Sequence, residues 1–147
     1  KKTKYNCDFH SNNKLGIAKG NLVGGNLVLL TTAIGTSSGI DTTNKILFIE
    51  DIGEYLYSID RMMYQLKRSG KLKNLSGLVI GKFTDIKDTD RPFGKSLEEL
   101  ILDVVKEYDY PVCFNFPISH GKENVAVKVG VEYELKVSKS KTILKDL

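Results

Sequence analysis

Three apolar runs, Ile46–Ile49, Leu75–Ile80 and Val112–Phe116, constrain this chain more than any other feature. Each is too short for a helix and reads as a buried strand. The segments between them have a different period. Leu56, Ile59, Met62, Met63 and Leu66 recur at helical spacing until Ser69–Gly70 stops them. Leu97, Leu100, Ile101, Val104, Val105 and Tyr108 do so again, behind a Ser96–Glu99 pair with the spacing of a capping box. Short buried strands interleaved with one-faced helices make a mixed α/β domain. The length of 147 residues, with 41% hydrophobic and 27% charged, suits one such domain with a real core.

The flanks are less regular. Residues 1–14 are polar and aperiodic and read as a leader, a loop or frayed end ahead of a single domain over 15–147. Leu15, Ile17 and Leu22–Val23 predict one or two short strands separated at Gly20. Gly24–Gly25–Asn26 marks a turn, with Asn26 the N-cap of a short apolar helix through Ile34 that Gly35 closes. From Val125 to Val137 the pattern alternates in part, which indicates strands with one wet face. Residues 136–146 read as a final hairpin or a fraying end.

Several classes of partner are excluded. The net charge of +4 resides in the first twenty residues, a lysine-rich segment rather than a basic face with aromatics to stack on bases, so no nucleic acid is expected. The longest apolar stretch, Leu27 to Ile34, falls far short of the roughly 20 residues a membrane span needs. Cys7 and Cys113 form neither a disulfide framework nor a zinc pattern. With no apolar signal segment in residues 1–13, they point to a reducing cytoplasmic setting. Asp85, Asp88 and Asp90 lack the spacing of a calcium loop, so neither metal nor cofactor is expected. The first residue is lysine, which suggests a piece of a longer protein.

Few residues can carry chemistry. Gly35–Thr36–Ser37–Ser38–Gly39 matches the letters of a nucleophile elbow, but the order is reversed, with a helical segment before it and a strand after. Glu50, Asp51 and Glu54 follow the first buried strand. Asp51 and Glu54 suit the N-terminus of the next helix, where negative charge is favoured. Glu50 continues the buried run and so points from the sheet end into a cleft, where a carboxylate can orient a histidine. Of the two histidines, His10 lies in the polar leader, where solvent exposure is expected. His120 sits in a Pro–Ile–Ser–His–Gly loop after a strand, a common home for a catalytic group. Ser119 is no nucleophile for it, because adjacent side chains diverge. Tyr55, Tyr57, Met62 and Met63 read as packing residues on the first long helix.

The succession GIAKGNLVGGNLVLLTTAIGT (16–36), ILFIEDIGEYLYSIDRMMYQLKRSGKL (46–72), GLVIGKFTD (77–85) and PISHG (117–121) resembles the C-terminal domain of the LD-carboxypeptidase family. That family includes muramoyl-tetrapeptide carboxypeptidases and microcin-immunity peptidases. The resemblance implies a layered β/β/α swivelling domain with short strands and two main amphipathic helices. It also implies a serine peptidase whose Ser–Glu–His triad is split between two domains. The glutamate falls on Glu50 and the histidine on His120, with Ser119 where the family commonly has glycine. The serine belongs to an N-terminal nucleophile domain that these 147 residues do not include. That domain and a murein peptide are the implied partners, and a homodimer is left open. Glu50 and His120 are expected to meet at one edge of the sheet, partly exposed, on a surface the nucleophile domain would cover.

Overall fold

A computed structural model describes residues 2–147. The chain runs β1 (Lys4–Asp8), β2 (Gly16–Asn26), α1 (Leu27–Thr32), β3 (Ile46–Ile52), α2 (Leu56–Arg68), β4 (Gly77–Thr84), α3 (Leu97–Val105), β5 (Val112–Phe116), β6 (Glu132–Val137) and β7 (Lys141–Asp146). The seven strands form one mixed sheet in the order β1-β7-β6-β2-β3-β4-β5. Strands β2, β3, β4 and β5 are parallel, whereas β1, β7, β6 and β2 are antiparallel. Strand β2 serves both halves: Gly16–Asn21 pairs with β6, and Leu22–Asn26 pairs with β3.

Alternation along β3 sets up the layers. Leu47 and Ile49 join Leu78, Ile80, Val112 and Phe114 in a core roofed by Ile59, Met63 and Leu66 of α2 and Leu100, Ile101, Val104 and Val105 of α3. Ile46 and Phe48 face the other way, with Val79, Cys113 and Phe116, toward Leu22, Tyr133, Leu135, Val137 and Leu144 of the antiparallel half. Helices, parallel strands and antiparallel strands thus form the mixed α/β domain read from the residues, in the layered arrangement the resemblance implied.

The long helices follow their sequence signals. Helix α2 ends at Ser69 with Gly70 at φ 77°, and α3 opens on a complete capping box. In that box Ser96 Oγ accepts the Glu99 N–H at 3.1 Å, and Glu99 Oε2 accepts the Ser96 N–H at 2.7 Å. Asn26 caps α1 by accepting the Leu29 N–H at 3.1 Å.

Four expectations need correction. Residues 4–8, read as leader, form edge strand β1, paired with β7 from Lys4↔Lys145 to Asp8↔Lys141. Lysines on an exposed strand edge discourage another chain from adding to it, which gives part of the N-terminal charge a physical role. Gly20 does not interrupt β2, and Gly24–Gly25 is strand rather than turn. A Cβ on Gly24 would lie 1.9 Å from the Phe48 carbonyl oxygen, so glycine lets β2 and β3 pack closely there. Helix α1 stops at Thr32, two residues short of Ile34. In the Val125–Val137 stretch only Glu132–Val137 is strand, while Val125 and Val127 pack against the core from an irregular segment.

The two ends of the described chain meet at Asp146, which is 2% exposed. Its carboxylate accepts the Thr3 N–H at 2.6 Å and a Lys128 ammonium hydrogen bond at 2.6 Å. The bond from Lys128 chiefly holds this carboxyl below its usual range, burial opposes that, and the bonds from Thr3 add to it. A carboxyl lowered by folding stabilises the native state above its unfolded value, about 3.9, and loses that contribution as pH falls through the folded value. The melting temperature should therefore fall more steeply from about pH 4 to about pH 2 than it does in Asp146→Asn. Equal acid slopes for the two proteins would show that Asp146 contributes no such link.

Candidate active site

Glu50 and Asp51 are consecutive on β3 and point to opposite layers. Asp51, 3% exposed, turns toward α1. It accepts the Val28 N–H at 3.1 Å, the Asn26 side-chain amide at 2.8 Å and its neighbour Ile52 N–H at 2.8 Å. Its carboxylate thus braces the start of α1, not of α2 as the sequence suggested. Glu54 is likewise outside the first turn of α2, whose N-cap is Tyr55 with no side-chain capping bond. A helix in sequence proximity drew the expectation; the helix in spatial proximity is the one served.

Glu50 turns to the opposite layer, and its side chain is 9% exposed. There it meets His120, seventy residues away in sequence, with Nδ1 at 2.6 Å from Oε2. A buried carboxylate needs a compensating donor, and the imidazole Nδ1–H supplies one. The histidine side chain is 48% exposed, so the pair runs from a buried anchor to an accessible ring. With Nδ1–H donated to the carboxylate, the neutral ring carries its lone pair on Nε2. Nε2 takes no hydrogen-bond partner among the described residues. A base oriented from behind and open in front can remove a proton from a group brought to it.

The loop that carries His120 is tied at several points. Ile118 O accepts the Lys82 N–H of β4 at 2.9 Å, and Pro117 O accepts the Val125 N–H at 2.8 Å. Ser119 is 6% exposed; its hydroxyl donates to Glu123 O at 2.9 Å and accepts the Gly121 N–H at 2.9 Å. Lys82 and Glu123 form an ion pair that holds the Glu123 carboxyl below its usual range. Ser119 is thus a structural member of the loop, a role that its position beside His120 concealed in the sequence.

The remaining candidates lie elsewhere. Ser37 is exposed in the turn after α1, in a strand–helix–turn order that is not an elbow. His10 is not the solvated residue expected: its side chain is 28% exposed, and it packs against Phe114 at 5.7 Å between ring centroids. Asp88 organises its own loop by accepting the Thr89 and Phe93 N–H groups. Among the described residues, no group of three or more His, Cys, Asp or Glu is arranged to hold a metal ion. No helix there is long and apolar enough to cross a membrane. Met63 is core, but Tyr55 and Tyr57 are exposed and stack on each other at 5.3 Å, with Arg61 over Tyr57 at 5.0 Å.

The LD-carboxypeptidase C-terminal domain matches residues 19–135 of this sequence. The chain belongs to the LD-carboxypeptidase family. It is 39% identical over 129 residues to the probable murein peptide carboxypeptidase of Bacillus subtilis, covering 88% of this chain and 40% of that protein. It is 32% identical over 113 residues to the murein tetrapeptide carboxypeptidase of Pseudomonas aeruginosa, covering 76% and 36%. The crystal structure of muramoyltetrapeptide carboxypeptidase from Oxalobacter formigenes superposes with a TM-score of 0.90 at 32% identity, over 99% of this chain and half of that one. The chain thus spans about 40% of the length of the curated relatives it matches. The matched residues run from within β2 to within β6 and include both Glu50 and His120.

Asp51→Ala leaves three donors without their acceptor, and a lost buried acceptor costs about 1–3 kcal/mol. Urea denaturation should show a loss of that order. A loss within the roughly 0.5 kcal/mol typical of surface changes would mean that Asp51 does not brace α1.

Proposed function

We propose that this chain supplies the general base and its orienting carboxylate to a serine-type LD-carboxypeptidase of murein recycling in the cytoplasm. The observation that carries this reading is the 2.6 Å contact between a half-exposed His120 and a buried Glu50. The nucleophilic serine belongs to an N-terminal domain beyond these residues, and the substrate is a murein tetrapeptide. His120 Nε2 takes the proton of that serine as its oxygen attacks the L,D-amide carbonyl. The imidazolium so formed is stabilised by Glu50, which stays ionised and fixes the ring's tautomer and direction. His120 then returns the proton to the leaving nitrogen, and terminal D-alanine departs. A water deprotonated at the same Nε2 hydrolyses the acyl-enzyme. No step calls on a metal or cofactor.

The surroundings support a covered site. Ile52, Tyr55 and Tyr57, at or just after the end of β3, are exposed, as is Leu29 on α1 at 66%. Such residues suit an interdomain contact. A second reading has one observation behind it: the chain is also 29% identical over 133 residues to the microcin C7 self-immunity protein of Escherichia coli. On that reading the same pair would act on an acyl-adenylate analogue.

The chain alone should release no D-alanine from an L,D-tetrapeptide, because without the nucleophile the covalent route is absent. Joined to a nucleophile domain, it should do so. In that assembly Glu50→Gln and His120→Ala should each lower kcat by about 10³-fold or more. Glu54→Gln should have little effect. Turnover by the isolated chain that Ser37→Ala abolishes, or an assembly that tolerates Glu50→Gln, would overturn the reading. Cleavage of acyl-adenylate analogues alone would select the second substrate class.

A further inference from the structure

The approach of Glu50 to His120 has a local cause. Along β3 and β4, Ile49 pairs with Ile80 and Asp51 with Phe83, so β4 holds an extra residue opposite Glu50. The β4–β5 ladder slips at the same level, from Val79↔Cys113 to Gly81↔Phe116. Gly81 lies within both irregularities. Bulges bend a strand and re-aim the side chains beside them, and they recur next to active sites.

The space at Gly81 is already spoken for. A Cβ there would stand 2.4 Å from the Ile118 carbonyl oxygen, 3.0 Å from Glu50 Cβ and 3.2 Å from the Ile49 carbonyl oxygen. Two of those atoms are backbone and cannot rotate away. The φ of Gly81 lies outside the left-handed region, so glycine is needed for room rather than for conformation. A methyl group would wedge apart the Glu50 strand and the Pro117–Ile118 segment that delivers His120. On the other side of the loop, the Ser119 hydroxyl ties Gly121 N–H to Glu123 O, fixing the backbone that flanks the histidine.

We propose that Gly81 and Ser119 are positioning residues for His120. Gly81 leaves room for the loop to lie against β3, and Ser119 locks the loop's curvature, so that Nδ1–H is aimed at Glu50 before any substrate arrives. The functional value of this seat rests on the reading of Glu50 and His120 as orienter and base; the geometry of the seat does not.

The test is the tautomer of His120 in the 147-residue chain, read from long-range nitrogen–proton correlation of the imidazole. His10 is the internal reference: its Nδ1 accepts the Asn12 N–H at 3.2 Å, so its proton resides on Nε2, the reverse of His120. Wild-type His120 should show the Nδ1–H pattern alone. Gly81→Ala and Ser119→Ala should each turn it into a mixture of tautomers, with His10 unchanged. In the assembly with a nucleophile domain, each should lower kcat by on the order of 10²-fold with KM little altered, as expected for misplacement of a reacting group. A folded Gly81→Ala that keeps the pure Nδ1–H pattern overturns the role of Gly81, and so does a Gly81→Ala that cannot fold, which would assign the residue to the fold at large. Ser119→Ala removes one oxygen and adds no atom, so it decides the loop's part in either event. The underlying reading fails separately: Glu50→Gln would then disturb the tautomer while hydrolysis continued undiminished.

Discussion

Strand β2 holds the two halves of this molecule in one sheet, and everything downstream depends on its double pairing. Its first half runs antiparallel to β6, and its second runs parallel to β3. The change of partner falls between Asn21 and Leu22, and just beyond it Gly24 lets the parallel half lie close against the Phe48 carbonyl. With β2 fixed, β3 is buried on both faces, and its alternation distributes side chains between two cores. Glu50 and Asp51 inherit opposite duties from that alternation. One carboxylate turns to the loop after β5, and the other turns to the start of α1.

The site occupies the carboxyl ends of the parallel strands, as sites in open α/β sheets commonly do. Here the strand ends do more than present loops. The bulges around Gly81 bring β4 under the His120 segment, and the Lys82 N–H holds that segment through Ile118 O. A carboxylate from within a strand and a histidine from a loop meet without help from any local sequence pattern. Rigidity comes from the strand, and access comes from the loop.

Much of this was readable in the residues. The α2 and α3 periodicities, the Ser96–Glu99 box and the Asn26 cap are local signals, and the structure realises them locally. Glu50 was legible because it extends an apolar run, and His120 because it sits between a strand and a glycine. What failed were inferences that needed tertiary knowledge. β1 is polar because it is an edge strand with a wet face, so its sequence resembles a leader. Asp51 was assigned to the next helix in the chain, since sequence distance is blind to which helix lies above a strand. Gly81 lies in the GLVIGKFTD run, but nothing in that run ties it to His120. Its importance lies in three atoms from two other segments, and only the fold brings those together.

The pairing of β1 with β7 places the first and last described strands side by side and antiparallel, with Thr3 bonded to Asp146. A pull on the two ends of such a pair loads its hydrogen bonds one rung at a time, as in a zipper, rather than all together in shear. The rung beside Thr3 and Asp146 would give first, and β1 would peel away while the parallel core stayed intact. The domain is therefore mechanically soft at its ends and firm at Glu50 and His120, so tension on the chain would reach that contact last.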